Sequence, residues 1–398
     1  MRKKKLNQTI FTLAISLMLL SACVPAAEKN GSQNDEDYIL YLQKQANKGN
    51  LWFYDFITDQ KISILPDWDI NYSISVNINN ELAFSSSHEG NNEVYIQNYP
   101  FAENDPINIT RDPLSEDSLE SWSPDGQYLL FRSKDINGEY LKVWDGTTFT
   151  TIGQFQEHIS EIAWGSDGKL TFTLSNSSSA SSADPSEIYL WNGENLSNVS
   201  QNPHATDRNS VWSADGRLAF LSQRNGKYGV YIWDGVSIVD GKPDVSSFIS
   251  IAPELTTYMS YPAWTNSGQL AFGGDDDASQ AFQIYAWDGE TVTNISQNPI
   301  AVNHSPTWRE DGYWAFSTSF FMESGDLFIR NSQNETVMTT TGLYGPAWSH
   351  SGKLMFCNYI DRGFVLSVWD GTKIREIVRG GYIYATSKNG DYVFCSAG

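Results

Sequence analysis

The sequence predicts an all-β fold, a single β-propeller of eight four-stranded blades, with seven blades as the alternative. Three observations predict it. A tryptophan-centred unit recurs at intervals of 42, 48, 52, 44 and 40 residues, each unit carries its own turn signals, and the units lack helical periodicity. The unit is clearest at Trp122-Ser-Pro-Asp-Gly-Gln-Tyr-Leu-Leu-Phe131 and returns at Trp164, Trp212, Trp264, Trp308 and Trp348, each followed by a phenylalanine eight residues on. A second motif, apolar-x-Trp-Asp/Asn-Gly, lies at Trp144, Trp191, Trp233, Trp287 and Trp369, with a degenerate copy at Arg330-Asn331. These two positions absorb eleven of the 14 tryptophans, so the aromatic excess belongs to the repeat.

Each unit reads as four strands, A to D. Strand A ends on the first tryptophan, and a Ser-x-Asp-Gly turn leads into the Leu-x-Phe alternation of strand B. A variable loop comes next, then strand C ending in Trp-Asp-Gly, then a short strand D. Asp-Gly and Asn-Gly supply the positive φ that tight hairpins need. Sheets stacked in this way bury both faces, and a large flat side chain at a fixed strand position fills the wedge between neighbours.

Weak copies at Ser75–Phe84 and Ala385–Phe394 extend the series, and 38–43, 51–56 and 61–65 read as strands B, C and D lacking a strand A. Residues 382–387 supply it, so both chain ends close one blade and no sheet edge is left open. Both termini offer a strand B, at 38–43 and 392–396, and one of the two is expected to be an extra edge strand. Cys357 and Cys395 follow Phe356 and Phe394 at the same repeat position. Equivalent positions on neighbouring blades lie too far apart for a disulfide, and both read as buried thiols.

The recurring Trp-Ser-x-Asp-Gly-x-Leu-x-Phe, together with Asn108-Ile-Thr-Arg-Asp-Pro113, Asn198-Val-Ser-Gln-Asn-Pro203 and Asn294-Ile-Ser-Gln-Asn-Pro299, resembles the TolB-type (WD40-like) propeller repeats of the bacterial envelope. The resemblance covers residues 38–398 and speaks to fold, because its motif residues build blades. A counterpart of TolB's separate N-terminal domain is missing.

Ahead of the repeats, Arg2-Lys3-Lys4-Lys5 precedes an apolar stretch at 10–20, the layout of an export signal. Leu20-Ser21-Ala22-Cys23 then resembles the lipobox of bacterial lipoproteins, which implies a diacylglyceryl group on Cys23 and cleavage before it. The expected organisation is a signal peptide over 1–22, a lipidated cysteine with a flexible spacer over 23–37, and the propeller over 38–398. The expected location is a bacterial cell or outer membrane, on the extracytoplasmic side. Removing residues 1–22 takes away four basic residues and no acidic one, leaving a net charge of −25. Such a chain is repelled by an anionic leaflet, so the lipid must hold it.

The full chain carries 26 Lys+Arg against 47 Asp+Glu, a net charge of −21, and that balance argues against a nucleic-acid partner. No catalytic elbow, zinc helix or phosphate-cradling loop occurs. The Ser-x-Asp-Gly turns differ from sialidase Asp boxes. No cofactor is expected, and the chain reads as a monomer. Its variable B–C and D–A loops are the expected binding side, with the largest insertions at 176–185 (B–C) and 236–260 (assigned to D–A). The binding candidates there are His88, His158, His204, His304, Asp275, Asp276, Phe320 and Phe321. The histidines lack ligand spacing and read as solvated loop residues, so no metal is expected. Asp275-Asp276-Asp277 lacks the alternation of a calcium loop and reads as a solvated run, and Phe320-Phe321-Met322 either folds back on its blade or presents an apolar patch. The resulting expectation is a lipid-anchored propeller that binds a protein or an envelope polymer without chemistry of its own. The alternative is a hydrolase or lyase acting on envelope glycans or peptides.

Overall fold

The computed structural model describes residues 38–45, 48–56, 59–66, 68–77, 81–98, 105–176, 184–253, 255, 262–265, 267–275, 282–298, 301–319, 325–341, 344–349, 352–360, 363–380, 382–386 and 392–395. They form a β-propeller of eight blade sheets, and the described residues contain no α-helix. Blade 1 joins both chain ends: Tyr382–Thr386 is strand A, and Tyr38–Gln45, Lys48–Asp55 and Gln60–Ile64 are B, C and D. Blade 2 is Ile70–Val76, Glu81–Ser86, Glu93–Asn98 and Ile107–Asn108, and blade 3 runs from Glu116–Trp122 to Phe149–Phe155. Blades 4 to 8 open with His158–Trp164, Asp207–Trp212, Ala263–Trp264, Val302–Trp308 and Tyr344–Trp348. The chain divides into two compact units, residues 1–154 with 347–398 and residues 155–346.

The two tryptophan motifs are one device. Strands A and C run in the same direction, so their C-terminal tryptophans reach the same end of a sheet, with the first residue of strand B between them in register. The ladder reads Trp122–Leu129–Trp144, Trp164–Leu170–Trp191, Trp212–Leu218–Trp233 and Trp264–Leu270–Trp287. Paired indoles lie 6.3 to 6.5 Å apart in these four blades. The leucines and the following phenylalanines, Phe172, Phe220 and Phe272, are completely buried. Within each unit this face packs on the preceding blade: Leu218, Phe220 and Trp233 meet Ile188 and Leu190, and Trp122, Leu129 and Phe131 meet Val94 and Ile96. The expected wedge-filling role of the tryptophans is thus observed.

Blade 7 explains its own degenerate motif. Arg330 stands where strand C of blades 3 to 6 and 8 ends in tryptophan, and Trp314 replaces the strand B leucine, 4.9 Å from Trp308. The indole has moved one strand over. The Arg330 guanidinium covers Trp314 at 5.5 Å and donates to the Ile295 and Ser296 carbonyls of blade 6 at 2.6 and 2.7 Å, so its charge is met by carbonyl dipoles. Close approach of the A–B and C–D turns is tightest in blade 5, where a Cβ on Gly235 (φ +81°) would sit 1.9 Å from the Gly216 carbonyl oxygen.

The structure corrects two expectations. The strand Ile249–Ile251 pairs with Gly229–Trp233 and is therefore strand D of blade 5. Residues 236–248 thus lie in the C–D connection, opposite the side assigned from sequence, and only the chain beyond Ile251 leads toward the next strand A. Short pairing at Ile238–Val239 and Lys242–Pro243 makes this insertion a small ribbon with Val236, Ile238 and Val239 exposed. Its separate turn signals hid the late strand D.

The second correction concerns the cysteines. Cys357, fully buried in Leu354–Ile360, is disulfide-bonded and not a free thiol. Its repeat equivalence with Cys395 fails because Tyr392–Cys395 is no strand B. That role belongs to Tyr38–Gln45, and Tyr392–Cys395 is the extra edge strand, paired outside Tyr382–Thr386 and packed against Cys357's own strand. Of the other two cysteines, only Cys395 lies among the described residues.

Trp233→Ala, at a site with no exposure, should cost about 3–5 kcal/mol in denaturant unfolding. Cys357→Ser should cost about 2–4 kcal/mol, and reductant should lower the melting temperature of the wild type while leaving the variant unmoved.

Candidate functional site

The three Asn-x-Ser/Thr-x-Asn/Asp-Pro segments connect strand D of one blade to strand A of the next, and one network builds all three. The residue after the hydroxyl-bearing one adopts positive φ: Arg111 (48°), Gln201 (48°) and Gln297 (49°). Its amide donates to the side-chain oxygen of Asn108, Asn198 or Asn294 at 3.0, 2.8 and 3.0 Å. The hydroxyls of Thr110, Ser200 and Ser296 donate to Glu93, Glu187 and Gln283 near the start of strand C, and each of those side chains also accepts a second amide from the same loop. One acceptor thus holds two donors of a loop that has no ladder of its own.

Nine residues after each asparagine stands a buried polar side chain: Asp117, Asp207 or Asn303. Where the strand C acceptor is an acid the buried residue is an acid, and where it is Gln283 the partner is Asn303. Both acidic versions bring a cation. Lys142 donates to Ser133 at 3.0 Å and lowers the pKa of Asp117, and Arg224 approaches Asp207 at 3.9 Å. Asp117 accepts from Ser115 at 3.2 Å, but burial still holds its pKa above the usual carboxylate range. Asp207 is worse placed. It has no exposure, and burial pushes its pKa up to about 6, against the pull of Ser222, Arg224 and Ser200. Asn303 in the same place donates to the carbonyls of Phe282, Asn298 and Ala301.

Around this scaffold the predicted site residues scatter. His158 opens strand A of blade 4, His204 is exposed between blades 4 and 5, and His304 lies in strand A of blade 7, its Nδ1 3.1 Å from Ser305 Oγ and its pKa lowered by burial. Among the described residues no three His, Cys, Asp or Glu side chains gather as metal ligands. Asp275 is half-buried at the end of a blade 6 strand, while Asp276, Phe320, Phe321 and Cys23 lie outside the described residues.

His88 is built into an aromatic stack. It sits exposed in the B–C loop of blade 2 with its imidazole stacked on Trp68, centroids 4.2 Å apart and planes within 19°. Trp68 in turn stands on Phe84 and Tyr95, nearly perpendicular to both, and those two rings are buried and stacked on each other. Glu89, also exposed, is held by Asn108 Nδ2 at 2.9 Å, and Arg111 Nε donates to the Asn108 carbonyl at 2.8 Å. Burial, with Glu89 and Glu93 nearby, pushes the Tyr95 hydroxyl up to about 12. Sequence reasoning missed Trp68, whose signal was that it is one of three tryptophans outside the two repeat positions.

No family model matches the chain, and no curated protein matches it. Solved structures do. A prolyl endopeptidase structure aligns over 91% of this chain and 57% of its own at 12% identity, with a TM-score of 0.53. Prolyl oligopeptidase B from Galerina marginata aligns over 77% and 50% at 9% identity, also with a TM-score of 0.53. The likeness is one of fold. This chain spans about half the length of these first matches. TolB from Acinetobacter baumannii aligns over 89% and 82% at 13% identity, but its TM-score of 0.39 carries no argument.

The buried acid gives a pH signature. A folded pKa near 6, above the unfolded value of 3.8, means that the contribution of Asp207 is fully present below pH 3.8 and is lost as pH rises through 6. Asp207→Asn, the residue the chain itself uses at 303, should raise stability at pH 7.5 by about 1–3 kcal/mol and flatten the pH dependence of the melting temperature between pH 4 and 7.

Proposed function

We propose that this is an exported, lipid-anchored envelope protein whose propeller binds a partner through its B–C and D–A loops. The observation that carries this reading is the division of labour at the loop ends. Glu93, Glu187 and Gln283 are occupied in holding loop backbone, so the loops are rigid mounts, and what they leave exposed around blade 2 is an aromatic stack beside a held carboxylate. Exposed groups on a rigid loop scaffold suit recognition. The disulfide at Cys357 accords with an oxidising compartment, as export requires. A net charge of −21 leaves attachment to a lipid on Cys23. The reading of the chain as a hydrolase or lyase has no assembled catalytic group among the described residues in its favour.

The test is capture from native membranes. Tagged protein should co-purify a protein or envelope polymer. Replacing residues 177–183 by a short Gly/Ser loop, or Phe320 and Phe321 by serine, should reduce that capture at unchanged melting temperature. Identical capture profiles from the wild type, both loop variants and an unrelated lipoprotein would overturn the proposal. In parallel, Cys23→Ser should move the protein from the membrane fraction to the soluble one.

A further inference from the structure

The tryptophans of the blades have a structural task, and Trp68 has none of that kind. It comes after strand D of blade 1 and closes a turn with its amide on the Leu65 carbonyl at 3.1 Å, so its indole is not part of any Trp–Leu–Trp ladder. It stands upright on a pedestal of two buried rings and carries an exposed imidazole flat against it. The result is a two-ring stack on a rigid base that offers the outer face of the exposed imidazole as a plate. Preorganised aromatic surface beside a few fixed polar groups is how proteins hold small planar or ring-shaped ligands.

The polar groups at its margin select the ligand class. Glu89 offers a carboxylate whose position is set by Asn108, and Arg111, tied to the Asn108 carbonyl, offers guanidinium donors. A negatively charged acceptor and a positively charged donor both bond to Asn108, which pairs with Tyr95 beneath Trp68, so neither a cation nor an anion meets a single-signed site. An anionic polymer is further disfavoured by the net charge of −21. A ligand with an apolar ring face and a rim of neutral hydroxyls satisfies all three elements at once. Its axial C–H groups lie on the plate, and its hydroxyls donate to Glu89 and accept from Arg111.

We infer that the Trp68–His88 plate, with Glu89 and Arg111, is a binding site for a neutral sugar ring of an envelope glycan. This rests on the reading of the loops as a recognition surface and names the ligand class of one part of it.

The experiment is titration of the full mature chain with chitotetraose and cellotetraose, monitored by calorimetry and saturation-transfer NMR, with pentalysine and polyglutamate as charged probes. The wild type should bind at least one tetraose saturably. Trp68→Ala and Glu89→Gln should each weaken that binding at least tenfold, while Phe149→Ala, an exposed ring on blade 3, should leave it unchanged. Should Trp68→Ala lower the melting temperature, the exposed Glu89 carries the test alone. The inference is overturned if neither tetraose binds, if sugar binding survives Glu89→Gln, or if pentalysine binds instead and is lost with the same substitutions. Partner capture from membranes that persists in Trp68→Ala and Glu89→Gln alongside absent sugar binding would overturn this inference while leaving the proposed function standing.

Discussion

The structure depends on a three-residue ladder at one end of the sheet in blades 3 to 6 and 8, in which two indoles from strands A and C flank a fully buried leucine from strand B. A four-stranded sheet has two faces, and neither is covered unless its neighbours supply matching apolar volume. The ladder supplies it with large rings whose positions are set by register, as where blade 3 packs on blade 2 and blade 5 on blade 4. Within each unit the buried phenylalanine two residues into strand B continues this face toward the loops. Blade 7 shows that the requirement is on volume and not on identity: an indole in strand B substitutes for one in strand C, and an arginine takes the vacated place by docking on neighbouring carbonyls.

At the opposite end of the sheets the problem is polar. The connections after blades 2, 4 and 6 have no ladder to satisfy their amides, and a single strand C side chain, Glu93, Glu187 or Gln283, gathers two donors from each. The acid and amide versions reach the same geometry with different electrostatic demands. Two nearby acids need a cation, and Lys142 and Arg224 provide it, whereas Gln283 with Asn303 needs none. Asp207 is the weakest point of the acid versions, since Arg224 directs its donors at Ser222 and the Ser200 carbonyl and reaches the carboxylate only at 3.9 Å.

Much of the architecture was legible in the primary structure because repetition is a one-dimensional signal. Tryptophan spacing, Asp-Gly turns and Leu-x-Phe alternation located the blades, and the split of blade 1 between the chain ends came from counting strands. The ribbon at 236–248 misled because an insertion with its own turn signals looks like the end of a blade, and only pairing with Gly229–Trp233 reveals Ile249–Ile251 as the late strand D. The candidate histidines fared unevenly for a related reason. Position in a loop class says which end of a sheet a residue occupies, not what it touches, so His88 finds an indole while His158, His204 and His304 lie on separate strands and loops.

Sequence alone determined the propeller repeat, favoured eight blades over seven and located most of the residues that form the buried faces, because each of these is written as local periodicity and turn chemistry. Tertiary structure decided which strand from the two ends lies at the edge, that Cys357 is bonded, that Asp207 is fully buried, and that Trp68 meets His88. Those facts depend on contacts between residues tens or hundreds of positions apart, and such contacts exist only once the sheets have packed.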